Sequence, residues 1–474
     1  MAWETVIGLE VHVQLSTRTK MFCACRTTFG DPPNTNVCPT CLGLPGALPV
    51  PNAEAVRLAA RGAIALGCTV HATSVFARKN YFYPDLPKGY QISQFDQPLA
   101  TGGRVAFDSP DRGRIEVGVT RLHVEEDAGK LVHDRFPGKT AVDLNRAGTP
   151  LAEIVSEPDI RSPAEARAYL VTLRQILVYA GVSDCSMEQG SLRVDANLSI
   201  RRPGDPKLGT KTEVKNLNSF ANVERALEAE RERQVALLDR GDRVAQVTLL
   251  FNAGSGQVRP LRSKEESHDY RYFPDPDLPP LVLAPEWIAA ERAALPELPE
   301  ARRARLEIAY GLPAYDARVL TSEVALAEYY ESVVGEGVDP KTAANWVMGD
   351  VMTTYNETGA FPVEADRLAS LVTLVREGVV SHQAAKRVYA ELARRPRDEP
   401  KAVAERLGLV QVRDQGEIGG WVDEVLAAHT AEVARYKGGE LKLMGFFVGQ
   451  VMKRSKGKAD PKGVQPVLQE RLSP

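Results

Sequence analysis

The sequence lacks the short signatures that mark the common nucleotide and nucleophile sites. It has no Gly-x-Gly-x-x-Gly fingerprint and no Gly-x-Ser-x-Gly elbow. The stretch GDPKLGTKT comes nearest to a phosphate loop, but Thr210 separates Gly209 from Lys211, and a hairpin between two strands is the better reading. No apolar run approaches the roughly 20 residues that span a bilayer. The start, MAWETVIGLEVHVQL, has no basic segment followed by an apolar one, so no signal peptide is expected. A cytoplasmic location with no membrane partner follows. Charge of one sign is also missing: 59 Lys and Arg against 62 Asp and Glu give a net charge of -3. Any role with nucleic acid would then need a local basic patch. Neither a Gly/Ser-rich amidase signature nor a cysteine in a nucleophile elbow is visible, so the chain is not expected to hydrolyse an amide by itself.

Cysteine is scarce and unevenly placed. There are 6, and four fall between positions 23 and 41. They read Cys23-Ala-Cys25 and Cys38-Pro-Thr-Cys41. Two close pairs separated by a loop suit tetrahedral thiolate binding of zinc, and a closed shell of four leaves no open position for catalysis. The plainer alternative is four small buried thiols. Cys68 and Cys185 stand alone and are expected only to pack.

The 474 residues, 43% hydrophobic and 26% charged, are those of a globular protein of two or three domains. Up to about residue 290 strand patterns mix with a few helices. In ETVIGLEVHVQLS, Ile7, Leu9, Val11 and Val13 share one face of a strand, and Glu10, His12 and Gln14 share the other. Helices are expected from Asn52 to Gly67, from Ser162-Pro163-Ala164-Glu165 (a capping box with proline at the first position) to Gly181, and from Asn218 to Arg240. Beyond residue 286 the pattern is almost wholly helical, with a second break near the proline-rich ARRPRDEPKA.

Two constellations carry chemistry. His123, Glu125 and Asp127 share a strand face, as do Arg193, Asp195 and Asn197, and Glu213 with Lys215. With Glu10 and His12 they offer the carboxylates and imidazole that suit magnesium on nucleotide phosphates, provided the four strands are neighbours. Each face alone is what the solvent side of an antiparallel sheet normally shows. The second is aromatic: His268-Asp269-Tyr270-Arg271-Tyr272-Phe273-Pro274, matched by RKNYFYPDLPKGYQISQ. It reads as a binding loop or as an aromatic plug against the sheet. Near the end, Arg435 to Pro466 holds Arg435, Lys437, Lys442, Lys453, Arg454, Lys456, Lys458 and Lys462 against Glu440 and Asp460. This segment can neutralise RNA phosphates or can be a solvated helix end.

Several blocks together resemble a known family. WETVIGLEVHVQL, NVCPTCLGLPGALPVPN, RKNYFYPDLPKGYQISQ, HVEEDAGK, DLNRAGTPLAEIVSEPD, EVKNLNSF and SHDYRYFPDPDLPP look like the signature blocks of the GatB family, the B-type subunits of the aspartyl/glutamyl-tRNA(Asn/Gln) amidotransferases. The resemblance implies an α+β fold: a cradle-shaped mixed-sheet domain over 1–292, a helical domain over 293–406 and a YqeY-like tRNA-binding tail over 407–474. It implies ATP-dependent conversion of Glu-tRNA(Gln) or Asp-tRNA(Asn) to Gln-tRNA(Gln) or Asn-tRNA(Asn). It implies ATP and Mg2+ as cofactors. The partners it implies are the A-type amidase (glutaminase) subunit, the small C-type subunit, the tRNA and the matching aminoacyl-tRNA synthetase. Carried over, Glu10, His12, Glu125 and Glu126 are expected metal and phosphate ligands. Asp195 and Glu213 belong to the same site, and Lys215 joins His12 and Glu125 in holding the nucleotide. Strict alternation puts Glu125 and Glu126 on opposite faces unless a bulge intervenes. Lys88, Arg271 and Tyr272 are expected along the ammonia path or the acyl-acceptor pocket. The competing reading is a tRNA-binding scaffold whose partner performs the chemistry.

Overall fold

The computed structural model describes residues 3–261, 270–412, 414–455 and 457–473. His268 and Asp269 of the aromatic string and Lys456 of the basic segment lie outside the described residues. The chain divides into two compact units, Met1–Ala301 and Arg302–Pro474. The fold is α+β, as expected, and among the described residues the strands are confined to the first unit apart from isolated bridges.

The first unit is built on a nine-stranded mixed sheet. Its strands are β1 Glu4–Gln14, β2 Thr69–Val70, β3 Ala100–Ser109, β4 Gly113–Glu126, β5 Pro150–Ser156, β6 Leu192–Arg201, β7 Thr212–Leu217, β8 Thr248–Asn252 and β9 Gln257–Pro260. They lie in the spatial order β9-β8-β7-β6-β1-β5-β4-β3-β2. Only β7 and β8 pair in parallel. The segment read as a poor phosphate loop joins the antiparallel neighbours β6 and β7, so the hairpin reading stands.

Alternation in β1 separates two environments. Ile7, Leu9, Val11 and Val13 are 0–1% exposed on one face. Burying each contributes about 1.5–3 kcal/mol, which fixes the register, because a one-residue slip would turn them outward. Helices α1 Ala53–Ala65, α2 Pro163–Tyr179 and α3 Phe220–Asp239 supply residues to the same core. Their starts are set by side chains. Asn52 accepts from the amides of Glu54 and Ala55, Ser162 from that of Glu165, and Ser219 from that of Asn222. The capping box at α2 is altered in one respect: Glu165 accepts from the amide of Arg161 at 2.8 Å and pairs with Arg112, tying the helix start to the β3–β4 turn.

A small ribbon stands apart from the large sheet. Phe76–Asn80 pairs with Tyr90–Gln94 on one side and with Phe273–Pro274 on the other. The two aromatic segments of the sequence are therefore structural partners. In the second unit the helices enclose two separate apolar clusters, one spanning Leu306–Ala404 and one Ile418–Leu472. Among the described residues no helix is long and apolar enough to cross a membrane.

Candidate active site

The polar face of the large sheet is laid out by register. Arg193 on β6 stands beside His12 on β1, which stands beside Glu153 on β5, which stands beside His123 on β4. The next row runs Asp195, Glu10, Val155, Arg121. The strands carrying Glu10/His12 and His123/Glu125 are thus not neighbours. Strand β5 separates them and adds Glu153, a residue the sequence pattern does not single out. Its only signal is a lone carboxylate in the apolar run PLAEIVS.

These rows floor a cavity of about 590 Å³. Its walls come from Lys79 and Tyr81, from Gln91, Ser93, Gln94 and Phe95, and from Tyr270 and Tyr272. Phe95 and Tyr272 stack with their centroids 4.2 Å apart and planes 4° from parallel. Lys79 Nζ sits 4.8 Å over the Tyr270 ring.

At the centre, His12, Glu125 and Glu153 offer ligand atoms that all lie within 4.8 Å of one another. His12 Nδ1 is 3.4 Å from Glu125 Oε1 and 3.8 Å from Glu153 Oε2. His123 Nε2 lies 3.4 Å from Glu153 Oε2 and 3.8 Å from Glu125 Oε2. Ser93 Oγ donates to Glu125 at 3.1 Å. Burial opposes charge on all four groups, yet each histidine holds the carboxylates ionised. Burial alone would raise Glu125, but hydrogen bonds from His12 and His123 bring it well below the usual range. Glu153 is lowered by His123 in the same way. In return burial is outweighed at His123, whose bonds to Glu125 and Glu153 push it up to about 9. Two buried carboxylates this close need positive charge. Protonated imidazoles supply it in the protein alone, and a divalent cation would supply it in their place.

The remaining expected residues divide. Glu10 lines the cavity but stays outside the central trio, accepting from Asn197 Nδ2 at 3.0 Å. Burial, and then the fields of Glu153, Glu213 and Asp195, raise its pKa. Asp195 and Glu213 also line the cavity, and Lys215 is clamped between them at 2.5 and 2.9 Å. Asp127 anchors the opposite end, accepting from Arg193 at 2.8 Å and from Gln14 at 3.0 Å. Tyr272 is a wall residue. The side chain of Arg271 is exposed and lies outside the lining, with the backbone at φ 43° and its carbonyl accepting from Asn80.

Glu126 and Lys88 belong elsewhere. They pair with one another in a second cavity of about 110 Å³, shared with Phe22, Cys23, Cys41 and Gly148. The strand alternation that puts Glu126 opposite Glu125 holds, with no bulge between them. Arg121, by contrast, faces the large cavity and was not expected. Its Nε is sealed from solvent with no acceptor, and it makes no ion pair among the described residues.

Beside the second cavity, the Sγ atoms of Cys23, Cys25, Cys38 and Cys41 lie within 4.8 Å of one another. Tetrahedral bonds of about 2.3 Å to zinc would set sulfurs about 3.8 Å apart, so this set can hold a metal with little adjustment. A hydrogen bond with Cys23, outweighing burial, pushes the Cys41 thiol down to about 4. Cys68 and Cys185 are free and buried.

The sequence as a whole matches known proteins. Residues 5–289 match the GatB/GatE catalytic domain, and residues 328–472 match the GatB domain. Among curated relatives, the B-type subunit of the aspartyl/glutamyl-tRNA(Asn/Gln) amidotransferase of Geobacter sulfurreducens is 52% identical over 480 residues, covering 100% of both chains. The proteins of the same name from Moorella thermoacetica and Alkalilimnicola ehrlichii are 53% and 52% identical over the full length of each chain. The chain belongs to the GatB family of amidotransferase subunits. The large cavity therefore lies wholly within the part matched by the catalytic domain.

Proposed function

We propose that this chain is the component of a glutamine-hydrolysing carbon–nitrogen ligase that activates and amidates the side chain of a mischarged aminoacyl-tRNA, Glu-tRNA(Gln) or Asp-tRNA(Asn). The convergence of His12, Glu125 and Glu153 on one point in a tRNA-amidotransferase family member carries this reading. A scaffold has no use for two buried carboxylates held ionised in a cavity large enough for a nucleotide.

The chemistry needs two displacements. The tRNA-bound carboxylate attacks the γ-phosphorus of ATP, and ADP leaves. Ammonia then attacks the acyl carbon, inorganic phosphate leaves, and the amide remains after a proton is lost. Activation is needed because hydroxide is a poor leaving group and phosphate a good one. Magnesium bound at His12, Glu125 and Glu153 would neutralise nucleotide phosphates, and Glu10 lines the same cavity. Lys79 and Lys215 bring positive charge to the same cavity, and Arg121 offers an unused cation to an anionic group. Burial would lower the Lys79 pKa, but the fields of Glu125 and Glu153 outweigh it and raise it.

Ammonia is made by the A-type amidase partner, and the small C-type subunit is a further partner. Lys88 and Glu126 in the second cavity, and Tyr272 in the wall of the first, lie on its route. The cysteine set holds a structural zinc. Residues 293–406 and 407–474 form a helical and a tail domain, the latter binding tRNA, and the complex works in the cytoplasm, with the matching synthetase as a further partner. Ammonia-supported amidation with Glu10→Ala in a complex with an intact amidase tests the enzymatic reading. Activity should fall at least about 100-fold, and full activity would leave only the scaffold.

A further inference from the structure

Lys20 has an exposure of 0%. Its Nζ donates to the carbonyl of Asn36 at 2.7 Å and that of Leu144 at 3.3 Å, and lies 3.6 Å from Cys41 Sγ. No carboxylate pairs with it among the described residues. Carbonyls give an ammonium dipoles but no counter-charge, and an isolated cation out of water is costly. The one contacting group that can bear a full negative charge is the sulfur of Cys41. Four neutral thiols would leave Lys20 uncompensated. Four thiolates around a divalent metal would instead carry net negative charge, which a buried ammonium offsets.

We propose that Lys20 is the internal counter-ion of the thiolate metal centre formed by Cys23, Cys25, Cys38 and Cys41, and that it retains the metal by holding Cys41. This rests on the reading of the cysteine set as a metal site. The same side chain ties that centre to the chain entering β5. Leu144 accepts from Lys20, Asn145 Oδ1 accepts from the Asn36 amide at 2.8 Å, and a Cβ on Gly148 would stand 3.3 Å from Lys20 Cδ. Gly148 and Thr149 in turn bond the backbone of Asp127, at the end of the large cavity. Lys20 is therefore a positioning residue that links the metal centre to the floor of the site.

The test uses the full-length chain with Lys20→Met, which keeps the unbranched stem and removes the ammonium, and Lys20→Gln as a second variant. Zinc is quantified by atomic emission, and its transfer to a chromogenic chelator is timed. The wild type should hold stoichiometric zinc, and both variants should release it at least about tenfold faster. The melting-temperature loss on Lys20→Met should be larger with zinc bound than after chelation, because the full negative charge of four thiolates, which Lys20 offsets, gathers only around the metal. Equal release rates, or equal losses with and without zinc, would overturn the role of Lys20 while leaving the metal site standing. Should Lys20→Met not fold, the release rate of Lys20→Gln decides. A wild-type chain without metal after purification in zinc would overturn the metal site itself, and Lys20's role with it.

Discussion

Glu125 and Glu126 are consecutive, yet their carboxylates enter different cavities. Glu125 meets His12, His123 and Ser93 on the polar face of the large sheet. Glu126 meets Lys88 and the amide of Ile92, at 3.0 Å, on the side of the cysteine cluster. One strand end thus belongs at once to the proposed activation site and to the proposed route of ammonia, with a peptide bond between them.

That separation sets the first test. Lys88→Met leaves the buried Glu126 without its cation, which costs about 3–5 kcal/mol in urea denaturation, and Lys88→Met with Glu126→Gln should recover most of it. In the assembled complex, Lys88→Met should lower glutamine-driven amidation at least about tenfold and leave ammonia-supported amidation within about twofold. Unchanged glutamine-driven activity would remove Lys88 from the ammonia route.

His123 gives stability a defined pH dependence in the chelated protein. Its folded pKa of about 9 lies above the ordinary value of 6.5. The folded state therefore favours the protonated ring. The stabilisation is complete below about pH 6.5 and is lost as the pH rises through about 9. Thermal melts in EDTA at pH 6 and pH 9.5 should show this fall, and His123→Asn should flatten it. A melting temperature that does not fall over this range would contradict the arrangement.

Arg121 should act on the nucleotide. Arg121→Met should lower kcat/KM for ATP by about 10- to 100-fold, the worth of a charge-assisted hydrogen bond. The dissociation constant for tRNA should not change. An unchanged kcat/KM would return Arg121 to a structural role.

The tail can be tested by charge alone. Lys437 and Lys453 are exposed on helices Thr430–Lys437 and Leu443–Arg454. Replacing both by Glu should weaken tRNA binding about tenfold or more and flatten its salt dependence. Normal binding with the same salt slope would place the tRNA elsewhere.

Much of this site was legible because period-two alternation assigns faces. Glu10 and His12 had to share a side once Ile7, Leu9, Val11 and Val13 claimed the core, and Glu126 had to oppose Glu125. The helix starts at Asn52, Ser162 and Ser219 were legible from capping chemistry, which is local. Alternation says nothing of which strand lies beside which. That β5 runs between β1 and β4 depends on pairing across more than 100 residues, so Glu153 stayed hidden in an apolar run. The same limit applies to Lys88 and Arg271. Dense polar loops suggested binding, but only the fold put Lys88 against Glu126 and turned Arg271 to solvent.

Glu153→Gln is the most direct test, because the substitution keeps the shape of the side chain and removes one charge from the trio. The measurement is ammonia-supported, ATP-dependent formation of Gln-tRNA(Gln) by the complex, with glutamine hydrolysis by the partner followed in parallel. The expected result is a fall of at least about 100-fold in amidation with glutamine hydrolysis unchanged. Amidation within about twofold of wild type would contradict activation of the carboxylate at His12, Glu125 and Glu153.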